Sequence, residues 1–463
     1  MRRTLAIAGL TWKAAFRFRL FIVIAVLLLG SVVALPLLIE DDGTARGFTQ
    51  ILITYTLSTI TGLLGLSTLW LACGTLARDI EDAQIQVVVT KPIARWQIWL
   101  GKWLGIVSLN AVLLAISGAS VFGLLQYRAT KLPAAEQQIL KNEILLARGS
   151  ARPPTFAADV EAETDRLLRE RIDKAGPGVS QLNLEQVRRE IREQVKATLQ
   201  VVPPGYTREW QIELGPAAAK LRDKPLYLRI KFNAADKSPT GTFAGVWRAG
   251  VPQETQLWGS EPMSLAPDTF HEFQIPAGLL DSQGVLSVAF LNVNNTTLLF
   301  PLEEGMEVLY HEGGFAPNFA RGLGIVFCWM ALLAAIGLCS ASFLSFPVAA
   351  FFSFALLTVV FSSGTLANAV TEGTIANYDP EHGTKGSSPV DFVVIPTFKA
   401  VLNIIQLARE FSPVDSLSTG RSITWTQLGM AFLQIVVLLG GVFAAIGIWT
   451  FTRRELAAAQ GTQ

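Results

Sequence analysis

The sequence predicts an α-helical polytopic membrane protein with six transmembrane helices and an inserted extracytoplasmic α+β domain, a helical arm plus a jelly-roll-like β-sandwich. Three observations carry this expectation. Hydrophobic residues make up 51% of the 463 and charged residues only 16%, where soluble domains carry about a quarter charged, and mean hydropathy is +0.40. Six stretches contain no Asp, Glu, Lys, Arg or His and are long enough to cross roughly 30 Å of hydrocarbon. Between the third and the fourth lies residues 128–321, a polar stretch with its own periodicities.

The six stretches run from Leu20 to Ile39, Ile51 to Ala77, Trp103 to Tyr127, Gly322 to Phe346, Val348 to Val370 and Leu428 to Thr452. Backbone groups in lipid must be satisfied within the segment, so apolar runs of this length are read as helices. The first is an uncleaved signal anchor: its apolar core begins late, and Glu40, Asp41 and Asp42 follow it directly. Before it, Leu5, Ile7, Leu10, Trp12, Phe16 and Phe18 alternate with Lys13, Arg17 and Arg19, the pattern of a helix lying on the inner leaflet. Asn110, Gln434 and Asn368 are read as groups that hydrogen-bond a neighbouring helix.

Lys and Arg in short loops set direction. Arg2, Arg3, Lys13, Arg17 and Arg19 precede the first span; Arg78, Lys91, Arg95 and Lys102 separate the second from the third; Arg453 and Arg454 follow the sixth. These segments are therefore expected in the cytoplasm of a bacterial inner membrane, with both termini inside and residues 128–321 outside. Net charge of +1 and the balance of 38 basic to 37 acidic residues exclude a basic nucleic-acid-binding surface. Cys73, Cys328 and Cys339 all fall in apolar runs, so the insert has no disulfide framework.

The chain divides into residues 1–127, an arm over 128–204, a sandwich over 205–316, and 317–463 with an external re-entrant segment at 371–427. From Pro133 to Thr198 the sequence is charged and helical, broken at Arg152-Pro153-Pro154 and Gly176-Pro177-Gly178. Leu184, Val187, Ile191, Val195 and Leu199 keep helical spacing, giving one face to bury in an antiparallel pair. After Val202-Pro203-Pro204-Gly205 the period becomes two: Leu226, Leu228, Ile230 and Phe232 face one way, Tyr227, Arg229 and Lys231 the other. Further strands are expected at 241–248, 269–275, 286–292, 297–302 and 306–311. The stretch from Phe270 to Pro276 and on through Gly284 to Asn292 resembles carbohydrate-binding β-sandwiches, which makes Trp247 and Trp258 candidate ligand-stacking residues; burial in the core is the competing assignment. His271 and His311 have no ligand partners at metal-binding spacing, and no nucleophile elbow or His-Glu-x-x-His motif occurs. No catalytic or metal site is expected, and the chain is not read as an enzyme.

The segment 78–102 carries the strongest signature. It opens with Arg78, Asp79, Glu81 and Asp82, continues through the apolar strip Val87-Val88-Val89, turns at Lys91-Pro92-Ile93-Ala94-Arg95, and enters the next span through Trp99, Gly101 and Lys102. It resembles the loop of ABC transporter permeases of the type 2 exporter family, where an acidic helix start leads to a Lys/Arg-Pro-Ile/Val-x-Arg turn and an aromatic Gly-Lys opening of the following span. Trp449, Phe451, Arg453 and Arg454 at the close of the last span, and Glu410-Phe411-Ser412-Pro413 before it, fit the same family. The resemblance implies that this chain is a permease subunit, paired as a homodimer or heterodimer in the lipid bilayer. It also implies that Arg78, Asp79, Glu81, Lys91, Pro92 and Arg95 contact an ABC ATPase subunit. No Gly-x-x-x-x-Gly-Lys-Ser/Thr occurs, so ATP and magnesium are expected on that partner and no cofactor on this chain. The rival reading is a membrane-anchored extracytoplasmic sensor or scaffold that binds an envelope polymer or protein without transport.

Overall fold

The computed structural model describes residues 2–17, 19–38, 44–82, 93–140, 144–154, 157–175, 184–302, 304–372, 378–379, 384–385, 390–409 and 411–454. The chain begins with α1 (Arg2–Arg17), α2 (Arg19–Leu38), α3 (Ala45–Glu81), α4 (Arg95–Ala129), α5 (Ala134–Ile139), β1 (Leu146–Ala151), α6 (Ala157–Ala175) and α7 (Leu184–Gln200). Then come β2 (Val201–Val202), β3 (Thr207–Glu213), α8 (Ala218–Leu221), β4 (Leu226–Ile230), β5 (Asn233–Ala234), β6 (Phe243–Ala249), β7 (Trp258–Gly259) and β8 (Met263–Leu265). β9 (His271–Ile275), β10 (Val285–Asn292), β11 (Leu298–Leu299) and β12 (Met306–Gly314) complete the sheets. The chain closes with α9 (Phe315–Phe343), α10 (Phe346–Phe361), α11 (Ser363–Glu372), the short pair β13 (Tyr378–Asp379) and β14 (Thr384–Lys385), α12 (Asp391–Arg409), α13 (Pro413–Ser418) and α14 (Trp425–Arg453). Two compact units result, one from Met1–Ala147 with Gly313–Gln463 and one from Arg148–Glu312.

In the helical unit, four helices among the described residues are long and apolar enough to cross a membrane: Gly47–Glu81, Arg95–Ala129, Phe315–Phe343 and Trp425–Arg453. A fifth exists if Arg2–Arg17 and Phe21–Leu35, bent by 79°, count as one span. The expected span from Val348 to Val370 is not one continuous helix. The helix ends at Phe361, where Ser362 leaves helical geometry (φ −80°, ψ 9°) and donates its N–H back to Thr358 O. The small polar run Ser362-Ser363-Gly364 has no apolar side chains to hold the turn in register with its neighbours.

Two boundaries move as well. α3 continues to Glu81 and α4 starts at Arg95, so the charged residues on either side of the expected loop are helical turns rather than loop. Of the segment 78–102, Arg78 to Glu81 close α3 and Arg95 to Lys102 open α4, while residues 83–92 lie outside the described residues. Leu28 of α2, Leu52, Leu57 and Leu64 of α3, Leu114 and Val121 of α4, Ile325 of α9 and Ile435 of α14 share one apolar core. Asn110 Nδ2 donates to Thr68 Oγ1 at 2.8 Å, joining α4 to α3 as its residue type suggested. Gln434 lies in the π-helical stretch Phe432–Leu439, and its Oε1 is buried with no partner. The side chain of Asn368 lies outside the described residues. In the middle of α14, Phe432, Leu433, Val437, Leu438 and Val442 are half or more exposed, an apolar stretch of the kind that marks a membrane-facing surface.

In the second unit, β1-β12-β4-β9 form one antiparallel sheet and β3-β10-β6-β7, with β8 on β6, form another; β2-β11-β5 make a smaller third. Leu226, Leu228, Ile230, Met306 and Val308 of the first sheet share a core with Trp210, Ile212, Trp247, Val288 and Phe290 of the second. The alternation along β4 sends its odd-numbered neighbours Tyr227 and Arg229 to the other face, as a half-buried strand must. α6 and α7 pack antiparallel through Val160, Ile191 and Val195. Arg192 lies 2.7 Å from Glu161, and Arg188 3.0 Å from Asp165.

β1 corrects the expectation that the helical character starting at Pro133 runs up to the break at Arg152-Pro153-Pro154. Nothing apolar alternates in Leu146–Ala151; Arg148 is buried there because its guanidinium pairs with Glu272 on β9. β3 also went unforeseen, although Trp210 and Ile212 alternate with Glu209, Gln211 and Glu213.

Trp247→Ala removes the more deeply buried of the two indole rings of this core and is expected to cost about 3–5 kcal/mol, read as a lower denaturant midpoint for protease resistance of residues 205–312. Just past the end of β4, the Lys231 ammonium 2.9 Å from Glu304 holds that carboxyl below its ordinary range. Its folded value being the lower one, the stabilisation exists above the unfolded carboxyl's titration and vanishes as pH falls through the folded one. Glu304→Gln should therefore lower the thermal midpoint at neutral pH and leave it unchanged in strong acid.

Candidate functional site

One end of the helical unit gathers the last turn of α3, the first turns of α4, the end of α9, the start of α10 and the end of α14; we call it the loop end. Its sequence explains the crowding, because short or charged connections join apolar helices there, and every terminus leaves unpaired N–H or C=O groups. In an apolar setting those groups need partners from the chain itself.

Lys102, one helical face inside α4, is 6% exposed. Its Nζ donates to Asp79 Oδ2 at 2.6 Å and to Thr75 O at 2.7 Å, fastening the end of α3 to the start of α4. Arg95 Nη1 lies 3.0 Å from Phe451 O, 2.8 Å from Thr452 O and 2.8 Å from Arg454 O. A cation thus sits on the carbonyl end of α14, where the helix dipole favours positive charge. Glu81 Oε1 accepts the backbone N–H of Phe346 at 2.8 Å, placing negative charge on the amide end of α10. Arg78 stacks its guanidinium 4.4 Å above the Phe346 ring, and that ring meets Trp70 edge-on at 5.0 Å. Arg454 Nη1 donates to Ser342 O at 3.2 Å, closing the end of α9.

Packing beneath this polar layer leaves little slack. Trp99 is fully buried on α4, and α14 passes it at Gly447, where an added Cβ would lie 2.9 Å from Trp99 Nε1 and 3.0 Å from Cys339 Cα. Only a residue without a side chain fits that crossing.

The structure therefore brings Arg78, Asp79, Glu81 and Arg95 together, and each is engaged within the chain. Lys91 and Pro92 lie outside the described residues. Lys102 and Arg454 are the site residues that reading the sequence missed as a site. A lysine two turns into an apolar helix, with an acidic residue closing the helix before it, was the available signal.

In the β-rich unit, Trp247 is 1% exposed, with Phe290 at 4.6 Å, Phe273 at 5.8 Å and Phe300 at 6.0 Å from its centroid. Its assignment as a ligand-stacking residue is corrected: every face of the ring is covered. Trp258 is half-buried, and one face lies 6.1 Å from the Phe273 ring. His271 Nε2 lies 2.7 Å from Ala266 O and 3.0 Å from Thr269 Oγ1, a turn-holding arrangement. Among the described residues no group of three or more His, Cys, Asp or Glu side chains is arranged to hold a metal. Comparison of the chain with protein-family models, with curated protein sequences and with solved structures finds no match.

The two members of the Asp79–Lys102 pair differ in access to water, their side chains being 34% and 7% exposed. Asp79→Asn strands a buried ammonium and should cost about 3–5 kcal/mol, whereas the carboxylate left by Lys102→Met can hydrate. Thermal midpoints in detergent should rank wild type, then K102M, then D79N.

Proposed function

We propose that this chain is the permease subunit of an ABC transporter, coupling ATP hydrolysis on a separate ATPase subunit to export or to movement of an extracytoplasmic domain. The observation that carries this reading is the loop end. Residues 83–92 join α3 to α4, and both flanks of that segment are tied to the ends of α10 and α14 through Glu81 and Arg95. A partner pressing on the segment would move several helices together, because charge-assisted bonds to helix termini leave little play between them. The apolar surface of the helical unit supports a membrane setting, and the absence of a phosphate-cradling loop from the sequence supports a division of labour with another subunit.

In this reading the loop end faces the cytoplasm of a bacterial inner membrane, and residues 128–321 lie outside. The finer architecture belongs to the same proposal. α1 with α2 supplies the first of six spans, α10 with α11 the fifth despite the break at Ser362, and the β-rich unit is jelly-roll-like. The proposal assigns the residues two tasks. Lys91 and Pro92 meet the ATPase, while Arg78, Asp79, Glu81 and Arg95 pass its motion to the helices.

The test is co-expression with a candidate ABC ATPase, measuring its retention on the purified permease and its hydrolysis rate in nanodiscs. Lys91→Glu should reduce retention, whereas Arg95→Gln should keep retention and lose stimulation of hydrolysis. A wild-type chain that retains no ABC ATPase and changes no hydrolysis rate would falsify the transporter reading and favour the sensor or scaffold.

A further inference from the structure

α1 divides its surface into three strips. At about 100° per residue, Ile7, Ala8, Thr11 and Ala15 form the first, which is buried. It packs on α4 where that helix has Gly101 and Gly105. A Cβ on Gly101 would lie 2.7 Å from Ile7 Cβ, and one on Gly105 would lie 2.7 Å from Thr11 Cβ. Trp12 Nε1 donates to Ser108 Oγ at 2.8 Å and holds the next turn. The second strip is apolar and open, Leu5 at 64% and Phe16 at 59% exposure, and adjoins Trp12. The third carries the exposed cations Arg2, Lys13 and Arg17, with no acidic residue anywhere on the helix. The 79° bend into Phe21–Leu35 turns α1 across the line of the apolar helix that follows.

We propose that the outward face of α1 docks on anionic phospholipid headgroups of the leaflet at the loop end. An apolar strip flanked by a cationic one is what a helix at the boundary of acyl chains and headgroups presents. Each cation near an anionic leaflet adds about fivefold in partition over a neutral one. An acidic protein surface would answer the cations and leave Leu5 and Phe16 without a matching partner; a zwitterionic leaflet would take those side chains and add nothing for the cations. The docked helix would also steady the same turns of α4 that carry Trp99 and Lys102, so anionic lipid would reinforce the Asp79–Lys102 tie.

The experiment uses the full chain with Gly9→Cys, a position in the middle of the outward face where an added Cβ meets open space. The three native cysteines are buried, which directs a spin label to the new one. In nanodiscs of phosphatidylcholine containing phosphatidylglycerol, the label should be shielded from a water-soluble relaxation agent, and in phosphatidylcholine alone it should be open. The variant Arg2→Gln/Lys13→Gln/Arg17→Gln should lose that shielding, and native mass spectrometry should show phosphatidylglycerol retention falling about fivefold per cation replaced. For wild-type chain, salt near 1 M, where the Debye length is about 3 Å, should reopen the label without any substitution. Equal shielding in both bilayers, shielding that survives high salt, or shielding seen only after an acidic protein is added would each overturn the proposal.

Discussion

The buried ammonium of Lys102 is the constraint around which the helical unit is arranged. A charge this far from water is tolerable only beside a counter-charge and with its remaining protons bonded. Asp79 supplies the counter-charge and Thr75 O accepts a hydrogen bond from a second proton, which obliges the end of α3 to lie against the start of α4. Once those helices are joined, α9 and α14 close over Trp99 at glycine, and Arg95 comes within reach of the carbonyl end of α14. The same logic recurs at each terminus nearby: acid on amide ends, base on carbonyl ends. What resembles a set of free charges awaiting a partner is largely the means by which the helices hold one another.

These bonds bear on the coupling proposed for the loop end. Residues already bonded to helix termini are poor docking contacts, since a partner would have to outcompete short charge-assisted bonds. In the proposed function they would transmit motion for the same reason. Docking of a partner, in that proposal, would fall to the segment between Glu81 and Arg95. The β-rich unit has a core of its own, in which Trp210, Trp247, Phe290 and Phe300 interlock, so it can fold around its own aromatic cluster.

Legibility varied with the range of the interaction. The strands at Leu226–Ile230 and Val285–Asn292 were readable because their apolar residues alternate, and alternation is a property of neighbouring positions. β1 was not, because Arg148 acquires its place only from Glu272, far along the chain. The helical spans were readable from apolar length, while the break at Ser362 was masked by apolar residues on both sides. Trp247 illustrates a third case. Its type is equally at home stacking a ligand or filling a core, and only the rings around it decide.

Local pattern alone settled that the chain has long apolar helices, that a β-rich unit interrupts them, and which strand positions face inward, since each follows from residues a few positions apart. The roles of the charged residues required the folded chain. Arg95 caps a helix end 356 positions away, and Glu81 meets an amide 265 positions away. No spacing in the sequence encodes such pairings, because they exist only after apolar packing has brought the helix ends to the same place.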